Sequence, residues 1–330
     1  MPDVHPGMVG PIGLTMTIGN RVIPNLLGVD IGCGMSLVQL KDKRIEFQKL
    51  DKVIREKIPS GFAVRNNVHH KAEDFDFQRL NCCKHINTDK ARVSLGTLGS
   101  GNHFIEGDKD ENGNLFIVVH TGSRHLGKEV TDYYLREGAK ILKTKGQEVP
   151  YPMTWLEGEL KEQYLADVRV VQEYAELNRE IILTEIVKGM KLKPLEEFSS
   201  VHNYIDMTGD VAILRKGAIS AKEGEKVIIP INMKEGILLG KGKGNGEWNC
   251  SAPHGSGRRL RRDEVKNHYT VSSFKNEMKG IHCTCIGTDT LDEAPFAYRG
   301  LEQILEYIDE TVEVTSVLKP VYSFKGGGKA

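Results

Sequence analysis

No stretch of the 330-residue chain approaches the ~18–20 consecutive apolar residues of a membrane-spanning helix, which excludes a helical membrane protein. Net charge is also absent, since Lys+Arg and Asp+Glu number 45 each. The whole surface is therefore no magnet for polyanions, and a nucleic-acid partner has to be held by local basic patches. The opening "MPDVHPGM" lacks the basic start and apolar run of a secretory signal, so the expected location is cytoplasmic. Cysteine is sparse: Cys33, Cys82, Cys83, Cys250, Cys283 and Cys285 contain no Cys-x2-Cys pair, which argues against a zinc knuckle. In a reducing compartment most of them read as ordinary thiols. Internal repeats, low-complexity blocks and Pro/Ser linkers are missing, and so is a β–α–β–α alternation. Those absences point to one α+β domain over residues 1–330, with mostly antiparallel sheets flanked by helices, and away from a doubly wound sheet.

What is present has a strand–helix–strand order. Residues 8–40 alternate glycine-rich turns with short β-branched runs ("GLTMTIG", "SLVQL"), which predicts strands. Residues 41–90 are charged and mixed, and read as helix and loop. "NLFIVVHTGSR" is a buried strand running into a polar loop at His120. From Glu157 to about Met190, Leu160, Tyr164, Val168, Val171, Ala175, Ile182 and Ile186 recur at helical spacing, predicting a long supporting helix with a charged opposite face. Residues 208–240 return to strands, and Leu301 to Val312 reads as a last amphipathic helix. The glycine tail is expected to be mobile at its very end.

Chemistry-bearing residues collect beside glycines or at strand ends. "GVDIGCG" carries Asp30 and Cys33, "DVHPG" Asp3 and His5, "LGSGNHFIE" Asn102, His103 and Glu106. "VVHTGSR" carries His120, "VHNYID" His202 and Asn203, and "SAPHGSGRR" His254 beside arginines. Singly, each is more often a hydrogen-bonded structural histidine or an inert thiol. Together, imidazoles, a carboxylate and a thiolate suit a borderline divalent ion such as Mn²⁺ or Zn²⁺. Residues more than a hundred positions apart do not prove convergence, so both readings stay open on spacing alone.

These blocks, in this order, resemble the RtcB-type GTP-dependent RNA ligases of tRNA splicing and RNA repair. The likeness runs through "DVHPG", "GVDIGCGM", "LGTLGSGNHFIE", "HTGSRHLGKEV", "VHNY", "RKGA", "SAPHGSGRR", "DEAPFAY" and "SFKG". The resemblance implies two Mn²⁺ ions, one held by Asp30, Cys33 and His103 and one by Cys33, His120 and His202, with Cys33 bridging. It makes His254 the nucleophile that carries GMP. It assigns the GTP site to Asn102, His103, Phe104, Glu106, His202, Asn203, Pro230, Ile231, Asn232, Met233, Ile237, His254, Gly255, Ser256, Gly257, Tyr298 and Lys325. The implied substrate is RNA with a 3′-phosphate or 2′,3′-cyclic phosphate end and a 5′-hydroxyl end. The fold implied is α+β. The chain is taken as a monomer, with room for an activating protein partner.

Arg258, Arg259, Arg261 and Arg262 could hold phosphates, although Arg261 and Arg262 read rather as a solvated helix face. The likeness has departures. "DVHPG" begins at residue 3, where relatives carry a preceding segment, so an opening strand is expected to be missing. Ile237 stands where a hydroxyl is usual, and His125 where a glycine is common. Two further functions follow from those departures or from the bland reading: a metal-dependent RNA-end phosphodiesterase or nucleotidyltransferase without sealing, and a non-catalytic GTP- or RNA-binding protein.

Overall fold

In the computed structural model, which describes residues 1–327, seven strands form the main sheet. Across it they lie in the order Lys226–Asn232, Gly236–Gly242, Val312–Lys325, Phe104–Lys109, Leu115–Thr121, Gly34–Leu40 and Pro194–Val201. Every pairing is antiparallel. The period-two alternation of side chains divides the apolar residues between two faces. Leu115, Ile117 and Val119 pack outward on Leu50 and Ile54 of helix Phe47–Lys57 and on Ile182 and Ile186 of helix Gly158–Met190. Phe116 and Val118 point inward, where they meet Met35, Leu37, Phe104, Ile228, Ile237 and Leu318. Each such side chain removed from water contributes about 1.5–3 kcal/mol, so the sheet is held from both faces.

The inner cluster draws on strands from both halves of the sheet, which requires it to curl. Its two edges meet: Ile228 N on one edge strand donates to Ser200 Oγ on the other at 3.0 Å. One end of this half-barrel gathers the residues of interest. Cys33 directly precedes the Gly34 strand, His103 precedes Phe104, and His202 follows Val201. His120 lies opposite both Met35 and Phe104, and Lys325 closes its strand opposite Phe104. Register thus brings to one rim residues that are far apart in the chain.

Smaller sheets cap that rim. Leu14–Thr17, Asn203–Asp206 and Ile213–Lys216 form a three-stranded antiparallel sheet. Ala218–Ser220 pairs with Ser251–Pro253, and this pairing delivers His254 just past the strand end.

Two elements differ from expectation. The last helix covers only Leu301–Ile308, because Thr311 N turns back to Ile308 O at 2.9 Å and Val312 opens the long strand. Helix Gly158–Met190 is more than a support with one charged face, since Asp167, Asn178 and Arg179 are buried among its neighbours. At the C-terminus, Ser323–Lys325 belong to a strand, and the mobility expected of the final glycine-rich residues falls on 328–330, outside the described residues. Among the described residues no helix is long and apolar enough to cross a membrane.

Candidate active site

The turn "GVDIGCG" presents Asp30 and Cys33 to one point because two glycine positions permit close approach. Gly32 adopts φ +74°, and a Cβ there would meet the Ala175 side chain at 2.7 Å. Gly122, on the loop after His120, lies so near Asp30 that a Cβ would stand 2.3 Å from its Oδ1. Ser123 N donates to that Oδ1 at 3.1 Å.

Around Cys33 Sγ the imidazoles crowd closely. His103 Nε2 lies 3.6 Å away and His120 Nε2 3.4 Å away, while His120 Nε2 and His202 Nε2 are 3.3 Å apart. Asp30 Oδ2 is 3.0 Å from His103 Nε2. The backbone sets the tautomers of two rings. His103 Nδ1 donates to Leu98 O at 2.9 Å and His120 Nδ1 to Asn102 O at 3.0 Å. A carbonyl oxygen only accepts, so Nδ1 carries the proton and the neutral ring turns a bare Nε2 lone pair inward. Burial, followed by the neighbouring His103, pushes His120 well below the ordinary imidazole range. Burial, followed by the neighbouring His254, does the same to His202.

Lone pairs converging on one point without protons between them are satisfied by a cation. Two donor sets meet this description, Asp30–Cys33–His103 and Cys33–His120–His202, with Cys33 common to both. The mixture of carboxylate, thiol and imidazole suits a borderline divalent ion. Burial and the adjacent Asp30 charge push the Cys33 thiol well above its usual range in the metal-free protein. A bound ion would reverse that by favouring the thiolate. Burial alone would raise Asp30, but when no ion is bound and His103 carries a second proton on Nε2, that hydrogen bond and charge hold Asp30 down at about 2.

Behind these loops the long helix acts as a clamp. Arg179 Nη1 donates to Gly32 O at 2.7 Å and to Thr121 O at 3.0 Å, and Nε to Ser36 Oγ at 3.1 Å. Asn178 Oδ1 accepts from Gly96 N and Thr97 N, and its Nδ2 donates to Thr97 O and Gly122 O. One helical turn therefore fixes the loops that carry Asp30, Cys33, His103 and His120.

A cavity of about 450 Å³ opens over the cluster. His254 stands on its wall, its ring 5.0 Å from that of His202. Buried Asp3 receives both His254 Nδ1 at 2.6 Å and His254 N at 3.1 Å. The carboxylate fixes the proton on Nδ1, so in the neutral ring the lone pair is on Nε2. Deeper in, Lys325 Nζ lies 5.3 Å above the Phe104 ring and 3.4 Å from Glu293. Glu293 also receives Tyr298 Oη, Arg262 and, at 3.3 Å, Arg258. Burial would raise Glu293, yet the charges of Lys325, Arg262 and Arg258 bring it down to about 2. Glu106 accepts from Ser323 Oγ at 3.0 Å, and burial lifts it to about 7 against the pull of Lys325.

Asp30, Cys33, Asn102, Phe104, Glu106, His120, His202, Asn203, Pro230 to Met233, His254 to Gly257, Tyr298 and Lys325 all line this one cavity. His103 sits behind it, against Cys33 and Asp30. Ile237 does not line it: it is fully buried in the inner apolar cluster of the sheet, opposite Pro230 and Leu318. Arg262 keeps its side chain about half exposed, as expected of a solvated helix face, while it also lines the cavity and pairs with Asp292 and Glu293; Arg261 is exposed as expected. Asp3 was singled out from sequence without its pairing to His254, whereas Asn178, Arg179 and Glu293 were not singled out at all. Asp3 and Glu293 at least sat inside recognised blocks, whereas nothing local distinguished Asn178 or Arg179 from other polar helix residues.

Comparison with known proteins gives the family. The family profile described as "tRNA-splicing ligase RtcB" matches residues 1–83 and 74–326. The chain belongs to the RtcB family. The RNA-splicing ligase RtcB of Escherichia coli K12 is 29% identical, with 99% of this chain and 89% of the relative covered. The tRNA-splicing ligases RtcB of Thermococcus kodakarensis and Nanoarchaeum equitans are 26% and 25% identical, covering 99% of this chain and 87% of each relative. Every strand-end motif that lines the cavity falls within the matched RtcB region.

Proposed function

We propose that the chain is a GTP- and Mn²⁺-dependent RNA ligase, residues 1–330 forming one catalytic unit, that joins an RNA 3′-phosphate or 2′,3′-cyclic phosphate end to a 5′-hydroxyl end. The observation that carries this reading is the pairing of Asp3 with His254 Nδ1 beside the two donor sets that share Cys33. In the neutral ring it leaves a bare imidazole nitrogen on a cavity whose floor carries two candidate donor sets for a divalent cation.

Asp30, Cys33, His103, His120 and His202 would hold the metal, which supplies charge neutralisation at phosphoryl oxygens. His254 Nε2 attacks the α-phosphorus of GTP, forming an N–P bond as the bond to pyrophosphate breaks. Asp3 stabilises the positive charge that develops on the ring. An oxygen of the RNA 3′-phosphate then attacks the same phosphorus and releases His254. Attack by the 5′-hydroxyl on the activated 3′-phosphorus seals the strand and expels GMP, and a cyclic phosphate end is hydrolysed beforehand. Glu106 and Lys325 place an acceptor and a donor side by side, which matches a guanine edge that offers N–H groups next to O6. Phe104, Asn102, Asn203, Tyr298 and the Pro230–Met233 segment complete the pocket. Arg258 and Arg262 add positive charge at its mouth.

The test uses two RNA halves, one ending in a 2′,3′-cyclic phosphate and one starting with a 5′-hydroxyl. Denaturing gels should show a joined product that requires both GTP and Mn²⁺. Opening of the cyclic phosphate without any joined product would replace this reading with the phosphodiesterase one.

A further inference from the structure

Cys283 and Cys285 take no part in the chemistry above, yet their sulfurs stand 3.3 Å apart as free thiols. The segment that bears them runs beside the last strand of the main sheet. His282 N donates to Val321 O, and Ser323 N donates to His282 O, each at 3.0 Å. Thr284 between them is exposed and anchored, donating to Asp51 and receiving Arg55 Nη2 at 2.8 Å. Both cysteines are half-buried residues on either side of it. Among the described residues no third ligating side chain joins the two sulfurs, which separates the pair from a metal site.

One of these sulfurs stands directly behind the cavity wall, against the backbone of a lining residue. Lys325 N donates to Cys285 Sγ at 3.2 Å, and the side chain of the same lysine reaches Glu293 beside Tyr298. The hydrogen bond from Cys283, opposed by burial and aided by the Lys325 N–H, holds the Cys285 thiol below its ordinary range. The same bond and burial push Cys283 up. An unequal pair of this kind has one nucleophilic sulfur and one resolving sulfur.

We propose that Cys283 and Cys285 form a peroxide-sensitive modification site, which closes to an intrachain disulfide and loosens Lys325 in the nucleotide cavity. Cys285 sulfur attacks one oxygen of hydrogen peroxide, forming an S–O bond as the O–O bond breaks and one water leaves. Cys283 sulfur then displaces the hydroxyl from Cys285, forming the S–S bond and releasing a second water. Two thiols are oxidised by two electrons and one peroxide is reduced. A disulfide sulfur is a poorer acceptor than a thiolate, so the Lys325 N–H loses its partner. A ring spanning only one intervening residue is strained, which makes the bond easily reduced and suits it to reversible control. The effect on the cavity rests on the proposed nucleotide role of Lys325; formation of the bond does not.

The experiment treats the metal-loaded full chain with hydrogen peroxide, alkylates it with iodoacetamide and digests it with trypsin. Residues 280–299 form one tryptic peptide holding both cysteines. It should emerge unalkylated and two hydrogens lighter, and dithiothreitol should reverse this. Hydrogen exchange at the Lys325 amide should quicken, and GTP binding should weaken by about fivefold, the scale of one lost hydrogen bond. C283S should bind GTP normally and show none of these responses. Peptide 280–299 recovered fully alkylated after peroxide overturns the proposal, as does a disulfide that leaves Lys325 exchange unchanged. Reduced protein that binds no GTP refutes the nucleotide reading instead, while peptide mapping and amide exchange still decide this one.

Discussion

At the scale of single residues, the site depends on a few protons being in the right place. Asp3 orients His254 by accepting its Nδ1 proton, and Asn in its place would offer a hydrogen-bond donor to that nitrogen. Asp3→Asn should therefore lower the rate of guanylylation by about 10²-fold or more, with little change in melting temperature. Cys33 belongs to both donor sets, so Cys33→Ala should abolish stoichiometric Mn²⁺ binding, whereas Asp30→Ala should weaken one ion more than the other. Equal, near-wild-type metal counts by elemental analysis would remove the shared-ligand geometry. Burial raises Glu106 to about 7, so it gains its charge as pH rises from about 6 to 8, and under the proposed role that charge would accept guanine N–H groups. GTP affinity should increase over that window and flatten in Glu106→Gln, which calorimetric titration at several pH values can check.

At the scale of elements, sequence periodicity carried far but stopped at definite places. The spacing from Leu160 to Ile186 located the long helix because its buried stripe is local in sequence. The buried strand before His120 was equally legible. What the pattern could not show is the role of Asn178 and Arg179, since their partners at Gly32, Gly96, Thr97, Ser36, Thr121 and Gly122 come from three loops and two strands elsewhere in the chain. The last helix was read too long because Val312 continues its apolar spacing while belonging to a strand. Replacing Asn178 by Ala leaves buried backbone groups without partners. It should cost about 2–4 kcal/mol in urea unfolding and reduce metal affinity, although Asn178 touches no metal ligand.

At the scale of the whole molecule, curling of the sheet is what assembles the site. Strand ends marked by glycine and histidine were visible as separate motifs, and their order suggested the family. Their meeting at one rim depends on strand register and on contact between the two sheet edges, neither of which is encoded locally. The same curl encloses Asp108, fully buried with no hydrogen-bond partner for either oxygen, and burial with the nearby Glu106 raises it well above the ordinary carboxylate range. A carboxyl raised on folding binds more protons in the folded state, so its contribution to stability is lost as pH rises above ~4. Asp108→Asn should thus gain stability relative to the parent as pH goes from 5 to 8, measured by paired urea titrations.

The proposed chemistry converges on a single bond between His254 Nε2 and the α-phosphorus of GTP. The most direct measurement is intact mass after incubation with GTP and Mn²⁺. The wild-type chain should gain the mass of one guanylyl group, acid-labile as a phosphoramidate is, and His254→Ala should gain nothing. A metal-loaded wild-type chain that acquires no adduct, or an adduct that persists in His254→Ala, would contradict the role given to this histidine.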